Sequence, residues 1–176
     1  MRKLLVPVLS LVVAAALLLA GYNLLLPVKT RVWQQELQEK MLTLLPGSSS
    51  FTQEEYTGED TNVRAVYKAE NGYVILTATQ GYVDEIQVLV GVSNEGKVTG
   101  LQVRASRETA GLGGKALSNW EFLAQFLNTD GSAAVGETVD ALTGATVTSK
   151  AIARCVNSAV GFVTGADTSS GATAWG

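Results

Sequence analysis

The sequence predicts an α+β protein in which a single N-terminal transmembrane helix is followed by a small, mostly antiparallel sheet with packed helices. Three observations lead to this fold class. An uncharged apolar run opens the chain, β patterns bounded by turn residues fill its middle, and apolar residues recur at helical spacing after the strands. A chain of 176 residues is long enough for one ordinary domain with appendages. We therefore expect one folded domain behind a membrane anchor.

The apolar run extends from Leu4 to Leu26, which is long enough to span a bilayer. A cleaved signal peptide is the alternative, but the run continues past the plausible cleavage point at Ala20-Gly21, which favours a retained anchor. Arg2 and Lys3 precede the run, so we expect the N-terminus in the cytoplasm. The rest of the chain is then expected on the outer face of the cytoplasmic (inner) membrane.

A second helical pattern runs from Lys29 to Leu45 and ends at Pro46-Gly47. The polar stretch from Ser48 to Thr61 is interpreted as a linker or an excursion before the folded domain. The expected organisation is a cytoplasmic stub and transmembrane helix at residues 1–28, a stalk helix and linker at 29–61, the folded domain at 62–165 and a flexible tail at 166–176.

Four short β patterns follow one another with only turn residues between them. Asn71-Gly72 is a dipeptide preferred in tight hairpin turns, Gly81 marks a second break, and Glu95-Gly96 lies in a third short connection. Connections this short join antiparallel neighbours. The fourth pattern does not alternate strictly, which leaves the register open. The segments are Val63 to Ala69, Tyr73 to Thr79, Ile86 to Val92 and Val98 to Val103.

Two amphipathic helices are expected after the strands. In the first, Trp120 lies at helical spacing, which favours a core position over stacking on a ligand. In the second, Cys155 lies on the apolar stripe, which favours a buried structural thiol over a reactive one. The apolar positions are Leu117, Trp120, Leu123, Phe126 and Leu127 in the first helix, and Ala151, Ile152, Cys155, Val156, Ala159, Val160 and Val163 in the second.

Composition excludes several classes of function. The chain has no His, which removes His-based metal sites and Ser-His or Cys-His catalytic pairs. Its single Cys cannot form an internal disulfide or hold an iron–sulfur cluster. The net charge of -3 offers no basic surface for nucleic acid. We therefore predict no catalytic residue and no metal site, and the composition argues against a hydrolase.

The stretch from Asp140 to Lys150 reads D-A-L-T-G-A-T-V-T-S-K and is the strongest functional signal in the chain. Gly144 and Ala145 have little or no side chain, so a large group can approach the backbone closely. A helical pattern begins immediately downstream, and the N–H groups and dipole of a helix N-terminus favour an anion such as a phosphate. Four hydroxyls surround this point, namely Thr143, Thr146, Thr148 and Ser149.

This stretch resembles the covalent flavin attachment motif, D-x-x-(S/T)-G-A-T-x-T, of the FMN-binding domain family. That family includes the G subunit of the Rnf ferredoxin:NAD oxidoreductase and the C subunit of the sodium-pumping NADH:quinone reductase. The resemblance implies that a flavin transferase, with FAD as donor and a divalent cation, joins the phosphate of FMN to Thr146. A threonine hydroxyl is a poor nucleophile at neutral pH, and only Asp140 or Glu108 could act as its base, so we do not expect self-modification.

The segment from Glu108 to Gly113 reads E-T-A-G-L-G and resembles a second family motif, E-T-P-G-L-G, which lies beside the flavin in related domains. Ala110 replaces the Pro of that motif, and Ser106 stands where relatives often carry a His. The resemblance covers roughly Val63 to Val163. It implies that four residues of this turn bind the flavin, with Leu112 against the ring: Glu108, Thr109, Leu112 and Gly113.

The phosphodiester at Thr146 would carry one negative charge, which helix amides together with Thr148, Ser149 and Lys150 are expected to meet. Alternatively, Thr148 or Ser149 is only the helix N-cap and Lys150 is solvated. A second copy of the motif ends at Thr173, but no helix follows it, which favours Thr146 as the sole site. The predicted FMN-binding residues around Thr146 are Thr143, Gly144, Ala145, Thr148, Ser149, Lys150, Glu108, Thr109, Leu112 and Gly113.

The leading hypothesis for function is an electron-transfer subunit of an Rnf-type membrane ion-translocating oxidoreductase, carrying electrons on covalent FMN and turning over no substrate alone. Its implied partners are the other membrane and redox subunits of the complex and the flavin transferase. Within the same class, the alternatives are a component like the C subunit of the quinone reductase and a free-standing extracellular flavoprotein. From a different class, a flavin-free anchored assembly or binding module stays open.

Overall fold

The structure is a computed structural model that describes residues 13–18, 35–105 and 117–166. The chain divides into two compact units, Met1–Glu39 and Lys40–Gly176. In the first unit, the described residues 13–18 and 35–39 are helical. No helix within these described ranges is long and apolar enough to cross a membrane. Most of the predicted anchor lies outside them, so the anchor stays a prediction.

The second unit contains a five-stranded sheet in the order β1-β2-β3-β4-β5, and every neighbouring pair of strands is antiparallel. Each strand pairs with the one before or after it in the chain, as short hairpin connections require. The predicted antiparallel sheet with packed helices is confirmed. The strands are β1 Thr52–Glu54, β2 Val63–Ala69, β3 Gly72–Gln80, β4 Glu85–Ser93 and β5 Val98–Ala105.

The predicted turns all lie at strand ends. Residues Glu70 and Asn71 join β2 to β3, and Gly72 already begins β3. Between β3 and β4, the Gly81 N–H donates to the Asp84 carbonyl at 2.9 Å. Gly96 turns β4 into β5 with φ +76°, a left-handed conformation that glycine adopts at little cost.

Strand β1 was not predicted from the sequence. It lies inside the polar stretch that was interpreted as a linker or an excursion, and its first two residues are exposed. Three residues are too few to show an alternating pattern. Pairing of Glu54 with Val66 places β1 at the edge of the sheet, beside β2.

The pairing of β4 with β5 is irregular. The imperfect alternation of the fourth β pattern had left this register open. Gly91 pairs with Gly100, whereas the next residue, Val92, pairs with Val98. The extra residue on β5 forms a β-bulge, which shifts the side-chain alternation by one position. Val98 and Leu101 therefore both pack against the same hydrophobic core, although they are three residues apart.

Helix α1, Trp120–Ala124, is shorter than the predicted amphipathic helix. The Asn119 side chain accepts a hydrogen bond from the Phe122 N–H at 2.9 Å and so caps its first turn. Trp120 is 69% exposed, so the expectation that it lies in the core is wrong. Phe122 and Phe126 fill the core instead, with exposed fractions of 2% and 0%. In so short a helix the spacing from 117 to 127 does not define a single face.

Helix α2, Thr146–Thr164, packs across β3 and β4. Its apolar stripe is buried against the sheet, as predicted, and Cys155 lies in that stripe with no exposed surface. Burial raises the pKa of the Cys155 thiol to about 12. The thiol is therefore neutral at physiological pH, which confirms the structural interpretation of this cysteine.

The opposite face of the sheet receives the chain segment that precedes β1. The Leu44 carbonyl accepts a hydrogen bond from Thr99 Oγ1 at 2.6 Å. This close approach depends on two paired glycines, since a Cβ on Gly91 would lie 2.3 Å from the Leu44 carbonyl oxygen and one on Gly100 would lie 2.9 Å from it. Met41 and Leu44 are buried here, at 3% and 6% exposure.

Several contacts define one end of the sheet. Asn71 Nδ2 donates to the Pro46 carbonyl at 2.8 Å, and the Asn94 N–H donates to the Asn71 carbonyl at 3.2 Å. At the same end, a Cβ on Gly96 would lie 2.4 Å from Thr164 Cγ2. The C-terminus of α2 thus lies beside the β2–β3 and β4–β5 turns. Its N-terminus points to the opposite end, where the β3–β4 turn and the end of β5 are found.

Candidate functional site

Thr146 is the first residue of α2, and its side chain is exposed. Gly144 adopts φ +78°, which turns the chain into the helix in a conformation that residues with a Cβ rarely adopt. The N-cap residue is Ala145, whose side chain has no atom that can accept from the first helical N–H groups. The helix N-terminus predicted for the motif is confirmed, and the helix begins at Thr146 itself.

Thr148 and Ser149 lie inside the first turns of α2 and are buried, at 1% and 0% exposure. The interpretation of either residue as the helix N-cap is therefore wrong, because that position belongs to Ala145. Ser149 Oγ donates to the Ala145 carbonyl at 2.9 Å and accepts from the Leu142 N–H at 3.3 Å. Ser149 thus holds residues 140–145, the attachment loop of the predicted motif, against α2. A direct role of the two hydroxyls toward a phosphate stays a prediction.

The loop that leads into Thr146 is fixed by two side chains that the sequence motif did not reveal. Asn157 of α2, 1% exposed, donates to the Ala133 carbonyl at 2.9 Å and accepts from the Ala133 N–H at 3.0 Å. Gln125, just after α1, accepts from the Asp140 N–H at 2.8 Å. Both come from segments outside the motif, so only the fold brings them to it.

The sequence-predicted site residues of the attachment loop are divided between surface and interior. Asp140, Thr143, Gly144 and Thr146 are exposed, whereas Ala145 is 4% exposed and packs inward. Thr146 is therefore accessible to solvent, while the residue before it, Ala145, is packed into the interior.

Two cations follow Thr146 along one side of α2. Lys150 and Arg154 are four and eight residues downstream, which places them on the same helix face as Thr146, and both are half-buried. The first turn of α2 contains no acidic residue. The positive end of the helix dipole and these cations both favour a negatively charged group at Thr146.

The second predicted motif lies outside the described residues, with Glu108, Thr109, Leu112 and Gly113 and the neighbouring Ser106 and Ala110. The end of β5 just before it is described, because Ala105 pairs with Gln87 near the start of β4. The chain therefore enters the second motif at the same end of the sheet as the N-terminus of α2. Thr173, the rival acceptor, also lies outside the described part.

Similarity to known proteins decides the family of the chain. The FMN-binding domain family matches residues 81–161. The G subunit of an ion-translocating oxidoreductase complex from Methanosarcina acetivorans is 33% identical over 165 residues, which cover 86% of this chain and 87% of the relative. The chain belongs to the FMN-binding domain family. Within it, the chain is similar to proteins named as the G subunits of ion-translocating oxidoreductase complexes.

Two other members of the family align over a shorter segment. The G subunit of the Na(+)-translocating ferredoxin:NAD(+) oxidoreductase complex of Acetobacterium woodii is 38% identical over 98 residues, covering 51% of this chain and 47% of the relative. Its proton-translocating counterpart from Clostridium ljungdahlii is 36% identical over 110 residues, covering 56% and 59%. The alignment thus spans about half the length of the Acetobacterium protein.

The site of this FMN-binding domain fits the phosphate end of its cofactor. Thr146 lies inside the matched segment, residues 81–161. Thr146 is exposed at the N-terminus of α2, where the N-cap residue Ala145 makes no side-chain cap hydrogen bond, and Lys150 and Arg154 carry positive charge one and two turns along the helix. The roles of Thr146, of the first amides of α2 and of Lys150 in holding a phosphate stay predictions.

Proposed function

We propose that the chain is the electron-transfer subunit of an Rnf-type ion-translocating oxidoreductase complex, and that it carries FMN through a phosphoester bond to Thr146. The observation that supports this most strongly is the exposed Thr146 hydroxyl at the uncapped N-terminus of α2, within a segment that matches the FMN-binding domain family. Bound FMN would accept electrons from one redox partner and pass them to the next.

Attachment requires an external enzyme. The chain contains no His to act as a general base for a threonine hydroxyl. With FAD as donor, the Thr146 oxygen forms a new bond to the FMN phosphorus, the pyrophosphate bond of FAD breaks, AMP leaves, and the hydroxyl proton is released. A flavin transferase with a divalent cation would activate the FAD for this exchange, and the chain would supply the acceptor hydroxyl on a fixed loop.

The proposed setting is the cytoplasmic membrane, with the N-terminus in the cytoplasm and the FMN-binding domain on the outer face. The apolar run from Leu4 to Leu26 supports an anchor, and Arg2 and Lys3 support the orientation. The proposed partners are the other membrane and redox subunits of the complex, in keeping with the names of the relatives.

Intact-mass measurement of the full chain, co-expressed with a flavin transferase, tests the proposal. We expect one FMN addition in the wild-type chain, none in Thr146→Ala, and one in Thr173→Ala, which is the matched threonine control because Thr173 ends the second copy of the motif. An addition that persists in Thr146→Ala would overturn the assignment. Protein without any flavin mass or in-gel fluorescence, despite an active transferase, would favour the flavin-free assembly module.

A further inference from the structure

The turn between β3 and β4 presents two adjacent apolar side chains to solvent. Tyr82 is 71% exposed and Val83 is 53% exposed. The turn itself is ordered by hydrogen bonds, since the Gly81 N–H donates to the Asp84 carbonyl at 2.9 Å and the Glu85 N–H donates to Asp84 Oδ1 at 2.8 Å. The turn therefore has a defined conformation in which both side chains are largely exposed.

The position of α2 relates this turn to the attachment threonine. The C-terminal residue Thr164 lies by Gly96, whereas Cys155 Sγ lies 3.9 Å from the Ile86 carbonyl, close to the start of β4. The helix continues from Cys155 to Thr146 for about 13 Å in the same direction. Thr146 thus lies at the end of the sheet where β3 turns into β4, beyond the start of β4.

We propose that Tyr82 and Val83 form an apolar platform that covers one face of the flavin ring of FMN attached to Thr146. The inference rests on the proposed function, because it requires that attachment. The phosphate would be fixed at the N-terminus of α2, so the ring can reach only groups at this end of the sheet. A flat aromatic side chain beside a branched aliphatic one matches the apolar face of a flavin ring.

The platform has a physical consequence for the cofactor. A ring covered on one face is shielded from water there, and its environment is set by the protein rather than by solvent. The phenol ring of Tyr82, as an electron-rich aromatic, also quenches flavin fluorescence when the two rings are in contact. Shielding and quenching are therefore two separate readouts of the same contact.

The test uses the full chain flavinylated in the presence of a flavin transferase, with loading measured by intact mass. Three turn variants are compared with wild type by flavin fluorescence yield and by collisional quenching with iodide: Tyr82→Ala, Tyr82→Phe and Val83→Ala. Leu42→Ala is the matched control, because Leu42 is also an exposed apolar residue, at 42%, but belongs to the segment that docks on the other face of the sheet.

For Tyr82→Ala we expect a higher flavin fluorescence yield and stronger quenching by iodide. The ratio of molecules whose flavin ring is covered by the platform to molecules whose ring is uncovered should fall approximately fivefold, the size typical of one aromatic contact. Tyr82→Phe should keep the ring shielded from iodide while losing the quenching by the phenol. Val83→Ala should increase iodide access by a smaller factor, and Leu42→Ala should match wild type in both measurements.

Two results would overturn the inference: turn variants that match wild type in both measurements, or a Trp120→Ala variant that produces the changes instead. Trp120 is a fair competitor because it is 69% exposed. If wild-type protein takes up no FMN, the proposed function fails instead, and the mass measurement separates that outcome from a failed platform. Because the substituted turn residues are exposed, the folded state should persist, and a circular dichroism spectrum checks this.

Discussion

Replacing Ser149 by alanine tests whether one buried hydroxyl positions the attachment loop. The hydroxyl donates to the Ala145 carbonyl at 2.9 Å and accepts from the Leu142 N–H at 3.3 Å, in a fully buried position. Ser149→Ala removes both bonds. The Ala145 carbonyl keeps the helical bond from the Ser149 N–H at 2.9 Å, so the main loss falls on Leu142.

The free energy of unfolding should fall by about 1–2 kcal/mol, because the Leu142 N–H loses this partner and the Ala145 carbonyl loses one of its two hydrogen bonds. Ser158→Ala is a matched control on the same helix. Ser158 is 5% exposed and accepts from Asn62 Nδ2 at 3.1 Å, so its loss should cost about 1 kcal/mol. Of these two serines, however, only Ser149 is bonded to the loop that presents Thr146.

Urea denaturation measures the stability of both variants, and the time course of FMN addition by intact mass measures how well Thr146 is presented. We expect both variants to lose stability, but only Ser149→Ala to accept FMN more slowly. The upper bound is about thirtyfold, since a loss of 2 kcal/mol in the competent loop conformation corresponds to that factor. Equal attachment rates in the two variants would refute the reasoning.

Three further predictions concern the fold around the site. Gly91→Ala should lower the free energy of unfolding by about 1–3 kcal/mol, because the new Cβ would lie 2.3 Å from the Leu44 carbonyl oxygen; an unchanged urea midpoint would contradict this. Asn157→Ala should lower the free energy of unfolding by about 2–4 kcal/mol in the same assay, because both backbone groups of Ala133 lose their buried partner. A fall of less than about 0.5 kcal/mol, the size expected for a surface substitution, would contradict this. The Cys155 thiol binds its proton more tightly in the folded state than in the unfolded state, so the free energy of unfolding should fall as pH rises from the ordinary thiol pKa of 9.0 towards about 12. Cys155→Val should weaken this dependence of stability on pH. An equal dependence in the variant would show that the buried thiol is not its cause.

Turn chemistry made most of the sheet predictable. Asn71-Gly72, Gly81 and Glu95-Gly96 punctuate the chain strongly enough to locate four of the strands within two residues. Short connections then required antiparallel neighbours. The edge strand β1 was not predicted because Thr52–Glu54 is short and polar. It forms by pairing with β2, a tertiary contact that its own sequence does not indicate. The bulge in β5 follows the pair Gly91–Gly100 and is defined by the register of two strands, which no single strand pattern shows.

The candidate site was predictable in part for the same reason. The motif located Thr146 and the helix behind it, because both signals are local in the chain. The hydrogen bonds between Gln125 and Asp140 and between Asn157 and Ala133 depend on tertiary contacts. The burial of Thr148 and the exposure of Trp120 depend on tertiary contacts as well. Helical spacing shows which residues share a face but not which face the domain covers.

Under the proposed function, the absence of a capping side chain on Ala145 would have a consequence for flavin attachment. A helix without such a cap forgoes about 1 kcal/mol that a side-chain acceptor usually supplies, and an anion at the same amides restores it. Thermodynamic reciprocity then makes loading and folding mutually supportive, since whatever stabilises the first turn also retains the phosphate more firmly. A precursor awaiting its cofactor would have no side-chain cap on the first turn of α2, at the position where the modifying enzyme must gain access, and the attached phosphate would supply an acceptor there.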